Sequence, residues 1–169
     1  TYAADRQGAL EALFLAAAAR RTGSRFLIGG AQYPPDFPWR TNIFYARHVA
    51  PAEHPQFYAA AGATLNVTRP AMAASGWCPS GRLFEAAACA APILSDWWDG
   101  LDEFFVPDKE ILIVRTAADV LAALDRGERD LARIGEAARE SALARHTAGR
   151  RAGELAALLA DTTAAAPGR

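Results

Sequence analysis

The sequence predicts an α/β domain of three layers, in which helices cover a mostly parallel sheet of about five strands. Short apolar runs bounded by glycine or proline alternate with helical segments, which is the pattern of strand–helix–strand units. The 169 residues are 51% hydrophobic and 22% charged, a composition typical of one globular domain with an ordinary core. We assign residues 1–160 to that domain, with helices after its last strand, and residues 161–169 to a frayed tail.

Charge and cysteine content exclude several classes of protein. The net charge of −1 gives no electrostatic reason to expect binding to nucleic acid or to an anionic membrane. No apolar run approaches the length of a membrane span, and the N-terminus lacks the shape of a signal peptide. Cys78 and Cys89 are interpreted as free thiols, which predicts a cytoplasmic location. Because the chain begins at Thr1 in the middle of a pattern, we expect a piece of a longer protein.

The first half of the chain predicts two helices and three strands. Asp5 is placed to cap a helix that runs to about Arg21, and a second helix begins at Pro51 and ends by Gly62. The first helix should bury one apolar face, formed by Leu10, Leu13, Phe14 and Ala17. Strands are expected at residues 25–28, 42–45 and 63–67. The prolines within residues 32–40 predict an irregular loop.

The second half predicts two more strands and a helical C-terminal region. Strands are expected at residues 92–95 and 110–114, and a short helical turn at residues 71–75. Thr116 is placed to cap a helix that runs to about Arg126. A long amphipathic helix over residues 128–146 should turn four residues inward: Leu131, Ile134, Ala138 and Leu143. A last helix is expected over residues 150–159.

Residues 77–105 carry the strongest indication of a ligand site. Ser80 can cap a helix that begins at Gly81, and the unpaired N–H groups and positive dipole of a helix start suit a phosphate. Glu85, one turn further on, is placed to accept hydrogen bonds from a sugar diol, whereas the alternative is a solvated ion pair with Arg82. The next strand leads into an acidic turn at the carboxyl edge of the sheet, where open parallel sheets bind ligands.

Other side chains near this crevice have two interpretations each. Arg69 and Arg82 can pair with a pyrophosphate bidentately, while a capping or surface role for Arg69 stays equally open. Stacking on a carbohydrate and simple packing stay open for Trp77, Trp97 and Trp98. His54 is interpreted as an ordinary polar histidine in preference to a base-sensing or catalytic group.

The acidic turn lacks the spacing of an oxygen-ligand loop, so we expect no metal. Its acidic residues are Asp96, Asp99, Asp102 and Glu103, and two tryptophans interrupt them. The amides around Gly100 and the carboxylate of Glu103 are better suited to sugar hydroxyls. The order of the residues assigns no catalytic group.

Several segments resemble the C-terminal half of spore-maturation (CgeB-like) glycosyltransferases, a branch of the retaining-type GT-B enzymes. These segments are LNVTRPAM, SGWCPSGRLFEAAACAAPILSDWWDGLDEFF, the initial TYAADRQ and VAPAEHPQFY, so the resemblance runs from Thr1 to about Leu124. The wider GT-B signature is LEAMACGxPVxxSDxGGxxE. Here LFEAAACAAPILSD and the later Gly100 to Glu103 match it with one extra residue before the glycine.

The resemblance implies a Rossmann-like half of a GT-B enzyme that binds a nucleotide-sugar donor. It implies that Glu85 holds the ribose. The other implied contacts are Ser80, Gly81 and Arg82 at the diphosphate, and Asp99, Gly100 and Glu103 beside the donor sugar. It also implies an N-terminal acceptor domain as partner and no cofactor, because helix dipole and arginine charge replace a metal at the leaving group.

The sequence departs from the family pattern at two positions and lacks one strand. Trp77 stands where the EX7E motif has its first glutamate, and Ala90 stands where a glycine follows the cysteine. The family's donor half begins with a central strand before the TYAADRQ loop. We therefore expect that a neighbouring segment or an oligomer formed through the incomplete sheet replaces this strand, or that the sheet is compromised.

Two functions other than sugar transfer stay open. The first is a non-catalytic α/β regulatory or interaction domain that keeps the fold, which Trp77 favours. Glu85, Arg82 and Glu103 together favour the transferase. The second alternative, a nucleotide-sugar epimerase of the same fold, has no separate support in the sequence.

Overall fold

The computed structural model of this chain describes residues 2–164. Short strands alternate with helices, and every pairing between these strands is parallel. The strands are β1 (Phe26–Gly29), β2 (Ile43–Ala46), β3 (Thr64–Asn66), β4 (Ile93–Ser95) and β5 (Leu112–Ile113). The predicted α/β class is therefore confirmed, with strand ends that differ from the predicted ones by one or two residues.

The strands form two sheets in place of the single sheet that the sequence predicts. β1 pairs with β2, and β3, β4 and β5 form a second sheet in that order. In the second sheet, Leu94 lies between Leu65 and Leu112 in register, so an apolar row crosses all three strands. Within residues 2–164 no strand joins β1 to β3. The division agrees with the alternative expectation of a compromised sheet.

One helical segment, residues 4–20, packs against both sheets. It consists of a 3₁₀ turn (Ala4–Arg6), α1 (Gln7–Leu10), a π-helical turn (Glu11–Leu15) and α2 (Ala16–Arg20). Leu13 and Ala17 are buried in a cluster with Leu94 of the second sheet. Leu15 and Ala18 are buried in another cluster with Ile28 of β1. This segment therefore holds the two sheets together with apolar contacts on two of its faces.

The predicted cap of this segment is wrong. The residue before the 3₁₀ turn is Ala3, which is extended and makes no side-chain cap bond. Asp5 lies inside the first turn instead, where a carboxylate is favoured by the positive end of the helix dipole. Because Ala4 and Asp5 are already helical, the chain turns two residues earlier than an Asp5 cap requires.

Seven further helices follow within residues 2–164. They are α3 (His54–Ala59, after a 3₁₀ turn at Pro51–Glu53), α4 (Pro70–Ser75), α5 (Gly81–Ala88), α6 (Leu101–Phe104), α7 (Ala117–Leu124), α8 (Glu128–Arg145) and α9 (Ala148–Ala164). The Thr116 cap of α7 is confirmed: its Oγ1 accepts from the Asp119 backbone N–H at 3.2 Å, and Asp119 Oδ2 accepts from the Thr116 N–H at 2.9 Å. None of the helices within residues 2–164 combines the length and apolar character needed to cross a bilayer.

The long helix α8 buries the predicted face except at its end. Leu131, Ile134 and Ala138 are buried, but Leu143 is 49% exposed, so its predicted inward position is wrong. Leu143 lies five residues after Ala138, which is about 140° further around the helix. Ala142, four residues after Ala138, is the buried residue of that turn.

The last helix, α9, extends beyond its predicted range on both sides. Its described side chains, over residues 148–160, are all exposed, so it adds nothing to the core. The helix continues through residues 161–164, part of the predicted frayed tail. Thr1 and residues 165–169 lie outside the described residues. The domain boundary at residue 160 stays a prediction.

We predict that Gly135→Ala destabilises the protein by about 3 kcal/mol or more, because a Cβ there overpacks a rigid contact. Gly135 lies in α8 against the connection between α5 and β4. An added Cβ would overlap the Ala90 carbonyl oxygen and lie 2.9 Å from the Ala90 carbonyl carbon. Both are main-chain atoms in a tight turn, where Ala90 has a φ of 54°.

The matched control is Gly153→Ala in α9, where an added Cβ meets nothing within 4 Å. There the better helix propensity of alanine should stabilise the helix by about 0.5–1 kcal/mol. Chemical denaturation of both variants measures the two free energies of unfolding. Equal values for Gly135→Ala and the parent protein would show that α8 does not pack on this turn.

Candidate functional site

A buried polar network joins the carboxyl ends of β3 and β4. Asn66 and Ser95, which end the two strands, are paired in register and nearly inaccessible. The Asn66 amide donates to Ser95 Oγ at 3.0 Å and to Thr68 Oγ1 at 3.1 Å. Asp96 accepts from the Thr68 backbone N–H at 2.8 Å and from its hydroxyl at 2.7 Å. The edge where the predicted site lies is therefore fixed by hydrogen bonds between side chains.

Asp96 has a structural role in this network, which also includes the predicted site residue Arg82. Both carboxylate oxygens of Asp96 are engaged by Thr68, so the acidic turn begins with a bound carboxylate. The Arg82 guanidinium donates to Asn66 Oδ1 at 3.4 Å. Sequence reasoning missed Asn66 and Thr68, although a polar residue at the end of an apolar strand is the signal that marks them.

Three arginines lie at this edge, one more than predicted. Arg82 is in the first turn of α5, and Arg69 is the residue before α4. The third, Arg6, donates to the Val67 carbonyl oxygen at 3.4 Å. Burial, and then the charges of Arg82 and Arg69, lower the pKa of the Arg6 guanidinium, while Asp5 partly opposes this. Mutual repulsion of this kind makes the edge a favourable place for an anion.

The start of α5 is open. Ser80 precedes Gly81 in an extended conformation, but its side chain makes no cap bond, so that part of the prediction is wrong. The Ser80 carbonyl oxygen instead accepts from the Leu83 N–H at 3.0 Å. A Cβ added at Gly81 would meet nothing within 4 Å. The Ser80 hydroxyl therefore does not cap the first N–H groups of the helix, and Gly81 is not crowded by neighbouring atoms.

Glu85 is held by helix α3. Its Oε2 lies 3.3 Å from His54 Nδ1 and 3.5 Å from the hydroxyl of Tyr58, which donates to it. His54 Nε2 lies 3.2 Å from the Val49 carbonyl oxygen, so the imidazole is fixed from both sides. Burial, and then the Glu85 charge, raise the pKa of the Tyr58 phenol. The carboxylate is thus oriented before any ligand arrives.

These contacts differ from two interpretations of the sequence, one for Glu85 and one for His54. Within the described residues, Glu85 makes no ion pair with Arg82, which was the alternative interpretation. His54 is a partner of the candidate carboxylate and not an isolated polar histidine. Neither His54 nor Tyr58 was predicted as a site residue, because 31 and 27 positions separate them from Glu85 and only the fold brings them together.

The acidic turn is fixed to the loop before α5. The Trp77 backbone N–H donates to the Asp99 carbonyl oxygen at 2.7 Å, and its indole N–H donates to Glu103 Oε1 at 2.8 Å. Gly100 has a φ of 92° and immediately precedes α6. The predicted trio of Asp99, Gly100 and Glu103 is therefore brought together with Trp77. Trp98, by contrast, is 2% exposed and belongs to the core.

No group of three or more histidine, cysteine, aspartate or glutamate side chains within the described residues is placed to hold a metal ion. Cys78 and Cys89 are both free thiols. The edge therefore offers cationic guanidinium groups, main-chain N–H groups and oriented carboxylates. Together these groups suit a ligand that has an anionic centre and several hydroxyls.

The chain matches one protein family, and several solved structures have a similar fold. Residues 6–157 match the family described as glycosyl transferase-like. No curated protein shows significant similarity to the sequence.

Among solved structures, sucrose-phosphate synthase from Thermosynechococcus elongatus has a TM-score of 0.60 at 19% identity, over 74% of this chain and 31% of its own. Anabaena HepE, solved in complex with UDP-glucose, has a TM-score of 0.60 at 14% identity, over 86% of this chain and 52% of its own. AviGT4, a glycosyltransferase involved in avilamycin A biosynthesis, has a TM-score of 0.54 at 23% identity, over 91% of this chain and 48% of its own.

This chain thus spans from 31% to 52% of the length of these structures. At such identities the likeness establishes the fold alone, which is a Rossmann-like α/β fold.

We predict that Asp96→Ala lowers the free energy of unfolding by about 1–3 kcal/mol, because it leaves the buried Thr68 N–H without an acceptor. Asp102→Ala is the control, since Asp102 is exposed in the same turn and should change stability by less than about 0.5 kcal/mol. Urea titration followed by circular dichroism measures both. If the two variants unfold at the same urea concentration, the network does not stabilise this edge.

Proposed function

The chain belongs to the glycosyl transferase-like family, and on this premise we propose that it is a donor-binding domain that holds a nucleoside diphosphate sugar for glycosyl transfer. One observation carries the proposal: Arg6 and Arg82 both donate to the carboxyl end of β3, near Arg69, and the oriented Glu85 lies one turn further along α5. A nucleotide sugar needs this combination, because its diphosphate is anionic and its ribose is a diol.

The diphosphate is proposed to bind between the arginines and the first turn of α5. Ser80 and Gly81 present main-chain N–H groups there, and the helix dipole favours negative charge. Arg82 and Arg69 supply planar guanidinium groups that match phosphate oxygens bidentately. During transfer, the same groups would stabilise the charge that develops on the leaving diphosphate. This chemistry requires no bound metal or other cofactor.

The ribose is proposed to bind at Glu85. A carboxylate accepts from two neighbouring hydroxyls, and His54 and Tyr58 keep it in one orientation, which lowers the entropy cost of binding. The donor sugar is placed beside Asp99, Gly100 and Glu103. The similar HepE structure is in complex with UDP-glucose, which supports a nucleoside diphosphate hexose as the class of donor.

Sugar transfer is proposed to need a second, N-terminal domain that binds the acceptor, because this chain matches only 31% to 52% of the length of the similar structures. Alone, the chain would bind a nucleotide and transfer nothing. Within the family we favour the spore-maturation (CgeB-like) branch, on the residue order around LNVTRPAM and the helix at Gly81. A cytoplasmic location goes with a nucleotide-sugar donor and free thiols.

A non-catalytic binding or interaction domain is the second candidate. The observation that favours it is Trp77, which stands at the first glutamate position of the EX7E motif and donates to Glu103. The two candidates differ in turnover of a protein that also contains the acceptor domain. They also differ in nucleotide binding, tested next, because the non-catalytic domain would keep the fold but lack the site.

We predict that Glu85→Gln weakens binding of the best nucleoside diphosphate by about tenfold or more. A hydrogen bond to a charged acceptor contributes about 1.5–3 kcal/mol, and glutamine keeps the shape while it removes the charge. Calorimetric titration of parent and variant with the nucleotide and with its 2′,3′-dideoxy analogue separates ribose contacts from other effects. The parent should prefer the ribose form, and the variant should not.

Glu136→Gln, at an exposed position on α8, is the matched control and should bind like the parent. A Glu85→Gln protein that still discriminates between the two ligands as well as the parent would remove Glu85 from the ribose site.

We also predict that a chelator leaves the nucleotide affinity nearly unchanged. The acidic turn has one carboxylate bound to Thr68 and another bound to Trp77, so it offers no group of free ligands to a divalent ion. The measurement is the dissociation constant with EDTA, with Mg²⁺ and with Mn²⁺. Binding that is lost in EDTA and restored by either cation would contradict the metal-free site.

A further inference from the structure

We propose that the indole of Trp77 is the platform on which the donor's sugar ring stacks, with Glu103 as the hydroxyl acceptor at its edge. This inference rests on the proposed function and adds a residue that decides how the sugar is held. It assigns a ligand role to the position where the family pattern has a carboxylate. Three observations carry it: the backbone conformation of Trp77, the contact with Gly100, and the exposure of the ring.

The backbone of Trp77 is in an unfavourable conformation. Its φ is 44°, in the left-handed region that a bulky side chain rarely adopts, and the preceding Gly76 has a φ of 65°. The Trp77 N–H donates to the Asp99 carbonyl oxygen at 2.7 Å, which ties this turn to the acidic turn. Such conformations persist only where the surroundings impose them, and they cluster at ligand sites.

One part of the indole is fixed against Gly100. A Cβ added at Gly100 would lie 2.5 Å from Trp77 Cδ1 and 2.6 Å from its Nε1, so only glycine leaves room for the ring. The φ of 92° at Gly100 favours glycine for a second, independent reason. The indole N–H donates to Glu103 Oε1 at 2.8 Å and fixes the edge of the ring. The ring is therefore held in one place before any ligand binds.

The ring is nevertheless open to solvent. Trp77 is 58% exposed, whereas Trp98 in the same region is 2% exposed and serves the core. An indole that packed only for stability would be buried on both faces. The backbone strain and the anchored edge thus present a large aromatic surface that the fold itself does not cover.

The chemistry of this surface fits a hexose. One face of a hexose ring carries C–H groups whose hydrogens are weakly positive, and the face of an indole is negative. Hydroxyls at the rim of the ring then reach a carboxylate, for which Glu103 Oε2 is available beside the indole edge. Trp77 lies four residues before Gly81, so the platform is at most about 14 Å along the chain from the proposed diphosphate site.

The first test uses the parent protein labelled with 5-fluorotryptophan. The chain has four tryptophans, and the ¹⁹F resonance missing in Trp77→Phe is that of Trp77. The probes are the tightest binder among UDP, ADP, GDP and dTDP and its glucose ester. We expect the ester to shift the Trp77 resonance and the nucleotide without glucose to leave it nearly in place.

The second test is calorimetry on variants. Trp77→Leu should weaken binding of the glucose ester at least fivefold and change the affinity for the nucleotide less than twofold. Trp77→Phe, which keeps an aromatic face but loses the bond to Glu103, should be intermediate. Trp97→Leu is the control, because Trp97 is 39% exposed in the acidic turn and has no role in this proposal. It should bind both ligands like the parent.

The outcomes separate this inference from the proposed function. If the nucleotide binds but the glucose ester leaves the Trp77 resonance unmoved, the stacking platform is overturned and the nucleotide site stands. If Trp77→Leu weakens both ligands equally, Trp77 supports the loop and not the sugar. If neither ligand binds the parent, the proposed function fails and this inference fails with it. The resonance is measured on the parent and assigned with Trp77→Phe, so a Trp77→Leu protein that does not fold leaves the test decisive.

Discussion

The hydrogen bonds of Asn66 are the interaction on which the candidate site depends. The Asn66 amide joins the ends of β3 and β4 through Ser95 and Thr68, and its oxygen accepts from Arg82 of α5. Because these groups are buried, an unmade bond would cost about 1–3 kcal/mol, which favours one arrangement of the two strand ends. The start of α5 and the acidic turn both leave from this edge, so their relative position follows from the same bonds.

Sequence reasoning succeeded where the determinants are local. The Thr116 capping box, the start of α5 at Gly81 and the strand over residues 93–95 each follow from residues within a few positions of one another. It failed where contacts between distant segments decide. The division into two sheets, the exposed Leu143 and the absent side-chain bond of Ser80 depend on packing that periodicity does not contain.

The site shows the same contrast. Arg82, Glu85 and Glu103 were predicted because they belong to one stretch of chain with a recognisable pattern. Arg6 was missed as a site residue although it lies in the TYAADRQ segment, because its partner Val67 is 61 positions away. The partners of Glu85 were also missed, because α3 reaches it only through the fold. A sequence pattern thus identifies the groups of a site but not the groups that orient them.

The distribution of charge along α5 gives the site a direction. The arginines gather at the first turn, whereas the carboxylate of Glu85 and its partners lie one turn later, on the side of α3. A nucleoside diphosphate sugar that satisfies both regions must place its phosphates at the helix start and its ribose toward α3. On the proposed function, the sugar on the distal phosphate then lies beside the loop that carries Trp77 and the turn that carries Glu103, which a hydrogen bond joins. The separation of charge along α5 would therefore set the orientation of the ligand, with the exposed indole at the sugar end.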